Sequence, residues 1–233
     1  GQINSGDYDA FISKFDIQGN KEWTRLLGSS SFDYSEGITT GNDGSIYITG
    51  DTSGDLDGQA NNGEIDAFIS KFDSEGNKAW TKLLGSSNDD ESYGITTAND
   101  GSIYITGDTT GDFDGQINSG GFDVFISKLD SDGNKEWTKL LGSSASDYSY
   151  GITTANDGSI YITGYTLGDF DGQINSGGFD AFISKFDSEG NKEWTKLLGT
   201  LKDEKSFGAI TIGDAESIYI SGETGGNLDG QTN

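Results

Sequence analysis

Residues Asp66–Gly85 read DAFISKFDSEGNKAWTKLLG, and the periodicity of this stretch decides the fold. Phe68, Ser70 and Phe72 alternate with Ile69 and Lys71, the two-residue period of a strand rather than the 3.6-residue period of a helix. SEGN follows, with a Gly-Asn pair suited to a hairpin bend, and KAWTKLLG resumes the apolar pattern. Downstream come YGITTA, the turn NDG and SIYITGDT. The stretch and its continuation therefore encode four short strands joined by turns. A helical reading fails because Gly, Asn, Asp, Ser and Thr dominate while β-branched residues fill the apolar positions.

The same unit recurs. Asp-x-Phe-Ile-Ser-Lys starts at Asp9, Asp66, Asp123 and Asp180, and tryptophans stand at Trp23, Trp80, Trp137 and Trp194, both series stepping by 57 residues. The second and third copies agree at roughly three-quarters of positions, so they are duplicates of one unit. The fourth diverges after Gly199 and carries one extra residue before Ile218.

Four antiparallel strands repeated at this length predict an all-β fold of propeller blades, with a linear β-solenoid as runner-up. DAFISKFDSEGNKAWTKLLGSS followed by YGITTANDGSIYITGDT resembles the SBBP-type β-propeller repeats of bacterial secreted and surface proteins, and the resemblance covers all four units. It implies the propeller fold and an extracellular or cell-surface setting, and no defined activity. By analogy with related repeats, GITTANDGSIYITG supplies the inner two strands of a blade and DAFISKFD with KAWTKLL the outer two. The chain then starts on two outer strands and ends on two inner ones, FGAITI and SIYISG. Pairing these ends gives a single domain over residues 1–233, with four blades of which one is composite and no open sheet edge. A segment of a larger array fits nearly as well.

The 233 residues carry a formal net charge of −25 and lack Cys, His, Met and Pro. That balance argues against nucleic acid or anionic membranes as partners and accords with cation binding and solubility. There are no disulfides to assign a compartment, no apolar run long enough for a spanning helix and no signal peptide. A chain starting at Gly1 without any Met reads as a processed product or a piece of something longer.

Because strands alternate in direction, the NDG and SEGN turns share one face of the ring, and the GDFDGQINSGG and GSSASDYSY connections share the other. In the first of these connections Asp112, Asp114, Asn118 and Asp123 offer hard oxygen donors around Gly115, as calcium loops do. The match to an EF-hand loop is partial, since glycine directly follows the second Asp and no bidentate Glu comes after it. The other reading is an Asp-Gly turn with Asx-type hydrogen bonds. Equivalent sets are Asp55, Asp57, Asn61, Asp66 and Asp169, Asp171, Asn175, Asp180, with a split copy formed by Asn227 and Asp229 at one end and Asn4 and Asp9 at the other. Asn227 in place of Asp predicts the weakest site there. The second connection places Asp33, Asp90, Asp147 and Glu204 before the inner strands. Two readings stand for them: an axial acidic ring that raises some pKa values or demands a cation, and four solvated turn carboxylates.

The tryptophans and the tyrosines of SIYITG (Tyr47, Tyr104, Tyr161, Tyr219) are expected to pack between blades, and surface pairs made by Lys14, Lys71, Lys128 and Lys185 to contribute little. Without His or Cys, Ser-His-Asp, Cys-His and His-zinc chemistries are excluded. Near-equivalent acids do not suit a two-carboxylate glycosidase. The expectation is a non-catalytic, calcium-linked surface module acting in structure, adhesion or assembly, with other surface proteins or glycans as partners and no membrane insertion. The alternative is a multivalent lectin-like propeller using Tyr148, Phe122 and Phe179, positions that drift to Glu91 and Ile65 in another copy.

Overall fold

The computed structural model describes residues 2–214 and 217–231. Three complete four-stranded antiparallel blades lie at its centre. The first contains β3 (Asp33–Thr40), β4 (Ile46–Thr52), β5 (Asp66–Phe72) and β6 (Lys78–Leu84). The second contains β7 (Asp90–Thr97), β8 (Ile103–Thr109), β9 (Asp123–Leu129) and β10 (Lys135–Leu141). The third contains β11 (Asp147–Thr154), β12 (Ile160–Thr166), β13 (Asp180–Phe186) and β14 (Lys192–Leu198). In each, the four strands pair in sequence order. The innermost strands β3, β7 and β11 lie side by side from blade to blade.

A half-blade stands at each end. β1 (Ala10–Phe15) pairs with β2 (Lys21–Leu27), the outer half. β16 (Ile210–Ile212) pairs with β17 (Ile218–Ile220), the inner half, extended by β15 (Glu204–Lys205) with β18 (Glu223–Thr224). β16 lies beside β11, and β1 beside β3. Among the described residues the free edges of β1 and β17 are not paired with each other, so the expected composite blade is not formed here; its two halves stand apart.

The core lies between blades. Ile69, Leu84 and Tyr47 of the first blade bury against Ile95, Ile105 and Phe125 of the second. Phe68 and Phe72, on the opposite face of β5, bury against Ala10, Ile12 and Leu27 of the N-terminal half-blade. Both faces of a blade are thus covered, which explains why both registers of the alternating AFISKF pattern are apolar or lightly polar. The polar exceptions are bonded across strands: Ser70 Oγ lies 2.7 Å from Thr81 Oγ1, and Ser127 Oγ lies 2.8 Å from Thr138 Oγ1. Thr106 Oγ1 donates to Phe125 O at 2.8 Å and meets Ser149 Oγ of the next blade at 2.8 Å.

Within each blade Trp80, Trp137 and Trp194 meet Tyr47, Tyr104 and Tyr161 at ring distances of 6.0 to 6.1 Å. Trp23 and Trp137 pack between blades as expected, against the turn glycines Gly76 and Gly190 of the blade that follows each. Trp80 also lies under the turn glycine Gly133 of the next blade, which has φ +80° and where an added Cβ would meet the indole at 3.1 Å. Tyr219 is the exception among the tyrosines, 59% exposed on the C-terminal half-blade.

Candidate functional site: buried carboxylates between the blades

The Asp-Gly loop is built as a clasp. Asp57, Asp114, Asp171 and Asp229 adopt left-handed φ of 48 to 54°, each followed by a glycine at 75 to 76°. Two successive positive φ values make the tight turn that Asp-Gly favours. Leu56 and Gln59 close it with backbone bonds of 3.0 and 3.1 Å in both directions, and Phe113 with Gln116 and Phe170 with Gln173 do likewise. The residue before the Asp is driven into the core: Leu56, Phe113 and Phe170 are buried. The Gln amide then grips the outer strand, Gln116 Nε2 donating to Thr138 O at 2.7 Å and Oε1 accepting Leu140 N at 3.1 Å. Gln59 grips β6 and Gln173 grips β14 in the same way, covering an edge that would otherwise invite strand addition. Gln2 accepts Leu26 N at 2.6 Å in the N-terminal copy.

The expected calcium donors are dispersed by this geometry. Asp57, Asp114 and Asp171 pair with Lys78, Lys135 and Lys192. Asp55, Asp112 and Asp169 accept the amides of Asn61, Asn118 and Asn175 at 2.9 to 3.0 Å. Those Asn side chains accept Gly63, Gly120 and Gly177 N at 2.8 to 2.9 Å, and they donate to the carbonyls of Thr52, Thr109 and Thr166. Asn4 makes the same turn with Gly6 N. In the last copy Gln231 N donates to Leu228 O at 2.8 Å around Asp229, beside Asn227.

Asp66, Asp123 and Asp180 behave differently. Each is fully buried and accepts an amide four residues earlier, from Asn62, Ser119 and Ser176 at 2.7 to 2.8 Å. Asp9 accepts Ser5 N at 2.9 Å in the same way. Asp33, Asp90, Asp147 and Glu204 repeat the device from the other connection, accepting Ser29, Ser86, Ser143 and Thr200 N at 2.5 to 2.6 Å, and they too are buried. These four are therefore not solvated turn carboxylates. Among the described residues no three His, Cys, Asp or Glu are grouped to hold a metal. Backbone bonds join the two connections across each junction instead: Asp90 N donates to Ile65 O, Asp147 N to Phe122 O and Glu204 N to Phe179 O, at 2.6 to 2.8 Å. Each junction thus brings one carboxylate from each expected group together.

Five of these carboxylates each keep one buried oxygen without a geometric hydrogen bond. The Oδ1 atoms of Asp66, Asp90, Asp123, Asp147 and Asp180 are buried without a hydrogen bond. Burial pushes the carboxyls of Asp66, Asp90, Asp123, Asp147 and Asp180 up, and the neighbouring charge adds to the rise: Asp66 on Asp90, Asp147 on Asp123, Glu204 on Asp180. Thr52 Oγ1 donates to Asp33 at 2.5 Å and Thr224 Oγ1 to Glu204 at 2.6 Å, and the equivalent Thr109 and Thr166 hydroxyls act in the same sense on Asp90 and Asp147, opposing the rise. A pair of buried acids with inward, unpartnered oxygens can share a proton or hold a hard cation.

Sequence reasoning missed a second acidic group, Asp51 and Asp108 on β4 and β8. Asp108 is 1% exposed, and neither carboxylate oxygen has a partner. Burial pushes it well above the usual carboxylate range, aided by Glu91, Asp51 and Asp90. Asp51 is pushed up to about 7 by burial, then by Glu91, Glu36 and Asp33. The available signal was divergence between otherwise near-identical copies: Asp51, Asp108, Tyr165 and Glu223 occupy one repeat position, and Tyr34, Glu91, Tyr148 and Lys205 its cross-strand partner.

The β-propeller repeat called SBBP matches residues 22–57, 79–114 and 136–171. Regulatory protein FlaEY of Caulobacter vibrioides is 29% identical over 207 residues, covering 80% of this chain and 22% of that protein, so the chain spans about a fifth of its relative. A protein of unknown function from Bacteroides caccae superposes with a TM-score of 0.38 at 9% identity, over 78% of this chain and 72% of that one. The three matched windows fall on the repeated strands and clasps described above, so the SBBP β-propeller repeat occurs three times in this chain.

Proposed function

We propose that this chain is a non-catalytic repeat module that acts in structure and assembly, in an extracellular or cell-surface setting, by completing a blade through its two ends. One observation carries the reading: among the described residues β1 with β2 forms an outer half-blade, β16 with β17 forms an inner half-blade, and the edges of β1 and β17 are unpaired. The halves are complementary, and both are incompletely covered. A cavity of about 370 Å³ beside β1 is lined by Tyr8, Phe11, Tyr34, Ile38 and Ile48, and one of about 160 Å³ beside β17 by Ala181, Leu198, Ile220 and Leu228. Burying such edges removes apolar surface and unpaired backbone groups together. The register of β12 with β13 pairs Tyr161 with Lys185, and transferring it pairs Tyr219 with Lys14. The partner half-blade comes from the other end of this chain or from a neighbouring repeat. The relative's name, a regulatory protein, accords with a module that works by binding.

The test uses Lys14→Cys with Tyr219→Cys, since a disulfide needs Cα atoms within ~7 Å. The expected result is efficient oxidation, either within one chain or head to tail between chains, and none for Glu22→Cys with Tyr219→Cys. Failure of the first pair to cross-link contradicts blade completion.

Calcium belongs to the same reading, placed at the carboxylate pairs between blades rather than in the Asp-Gly clasps. Its support is the set of buried, unpartnered Oδ1 atoms. Chelator-stripped protein titrated with calcium is expected to bind and to melt at higher temperature. Asp123→Asn is expected to lower the stoichiometry by one, and Asp114→Asn to leave it unchanged. The lectin reading gains no such support: Phe122 and Tyr148 lie 5.1 Å apart, and Tyr165 and Phe179 5.0 Å, ring against ring.

A further inference from the structure

The position that varies between the copies belongs to a three-residue cluster at each junction, composed of a residue on the second strand, the residue before the third strand and one on the next innermost strand. In the third junction these are Tyr165, Phe179 and Lys205. The Lys205 ammonium lies 4.1 Å from the Phe179 ring centre and 5.5 Å from that of Tyr165, a cation held by aromatic faces. In the second junction they are Asp108, Phe122 and Tyr148, and in the first Asp51, Ile65 and Glu91. The lysine is gone from both and carboxylates have entered. Asp108 and Glu91 are cross-strand partners on β8 and β7, and β4, which carries Asp51, packs against β7, so the three form one acidic arc.

No cation of the chain serves this arc among the described ion pairs. Both Asp108 oxygens are buried and unpartnered. Glu91, only half-buried, is held by the Tyr93 hydroxyl, and Tyr93 and Tyr150 line the approach with ring centres 4.7 Å apart. The acids are not grouped to hold a metal ion. An alkylammonium is the cation that matches carboxylates flanked by aromatic faces without needing a closed oxygen cage.

We propose that the Asp51–Glu91–Asp108 arc is a binding site for a primary ammonium group from outside the chain, of the kind a lysine side chain or a small amine carries. It takes the place that Lys205 fills in the third junction. A net charge of −25 draws such cations toward the whole molecule, and the arc with its tyrosines supplies the selective contact. This site is independent of blade completion and of calcium at the carboxylate pairs.

The test is a titration of the full chain, in saturating calcium at moderate salt, with n-butylammonium and with N-acetyl-lysine amide, followed by tyrosine ring NMR signals and calorimetry. Saturable binding is expected, shifting the Tyr93 and Tyr150 signals. It should weaken at least tenfold in Asp108→Asn and in Glu91→Gln, and stay unchanged in Glu22→Gln. Stronger binding of the lysine amide identifies a peptide side chain as the source, and equal binding a free amine. Non-saturable binding, or equal affinity in wild type and Asp108→Asn, overturns the proposal. So does a calcium stoichiometry that falls by one in Asp108→Asn, which would make the arc a hard-cation site. The asparagine variant removes a buried charge and keeps the shape, and an unchanged circular dichroism spectrum shows that it folds.

Discussion

Asp114 sits at φ +51°, in a conformation that most side chains avoid and that Asp tolerates beside a glycine. Its loop works through the flanking residues: Phe113 goes into the core and Gln116 binds β10 along its free edge. Gln116→Ala is expected to cost about 1–2 kcal/mol by denaturant unfolding, since it removes two partly buried hydrogen bonds. Phe113→Ala is expected to cost about 3–5 kcal/mol by the same measurement, as for any fully buried aromatic. The buried acids set the pH response. Asp51 titrates near 7 in the folded chain against about 3.9 unfolded, so the folded state holds the extra proton between those values. Stability from this group is therefore fully present below pH ~4 and is lost as pH rises through about 7. The turn carboxylates Asp73, Asp130 and Asp187 are held low by bonds from Asn77, Asn134 and Asn191, and their contribution is lost as pH falls below the ordinary carboxylate range. Thermal melts in chelator are thus expected to peak near pH ~5 and decline toward pH 8, with Asp51→Asn flattening the decline.

At the scale of the element, each blade is completed by contacts with its neighbours. Gly133 shows the coupling: its turn belongs to one blade and its Cα lies over Trp80 of the blade before. Gly133→Ala should destabilise by about 1–2 kcal/mol in chemical denaturation, because φ +80° strains an L side chain and the new methyl meets the indole. The strands and turns were legible from Asp66–Gly85 alone, since a two-residue period and Gly-rich turns are local properties. The candidate site was only partly so. Asp66 and Asp90 were each singled out, but in different groups, because their meeting depends on the Ile65–Asp90 backbone bond between blades. The clasp was left with two readings because alternating Asp and Asn around glycine serves a tight turn and a calcium loop equally well, and the lysine that engages Asp114 lies 21 residues away in sequence. Asp108 was overlooked because it sits inside an apolar strand pattern, where only comparison between the copies reveals it.

At the scale of the whole molecule, three full blades are flanked by the outer half-blade of β1 and β2 and the inner half-blade of β16 and β17, whose facing edges are unpaired among the described residues. Exposed Phe11 and Phe15 lie on β1 and Tyr219 on β17, with exposed Ile38 on the neighbouring β3, an arrangement that favours joining over isolation. The expected consequence is that the ends are occupied in solution, either by each other or by neighbouring copies. Backbone hydrogen exchange along β1 and β17, measured by mass spectrometry alongside sedimentation, tests this most directly. Protection of β1 approaching that of β5, and of β17 approaching that of β12, is predicted, with sedimentation distinguishing a closed ring from a head-to-tail chain. Fast exchange on both edges in a monomer would contradict blade completion.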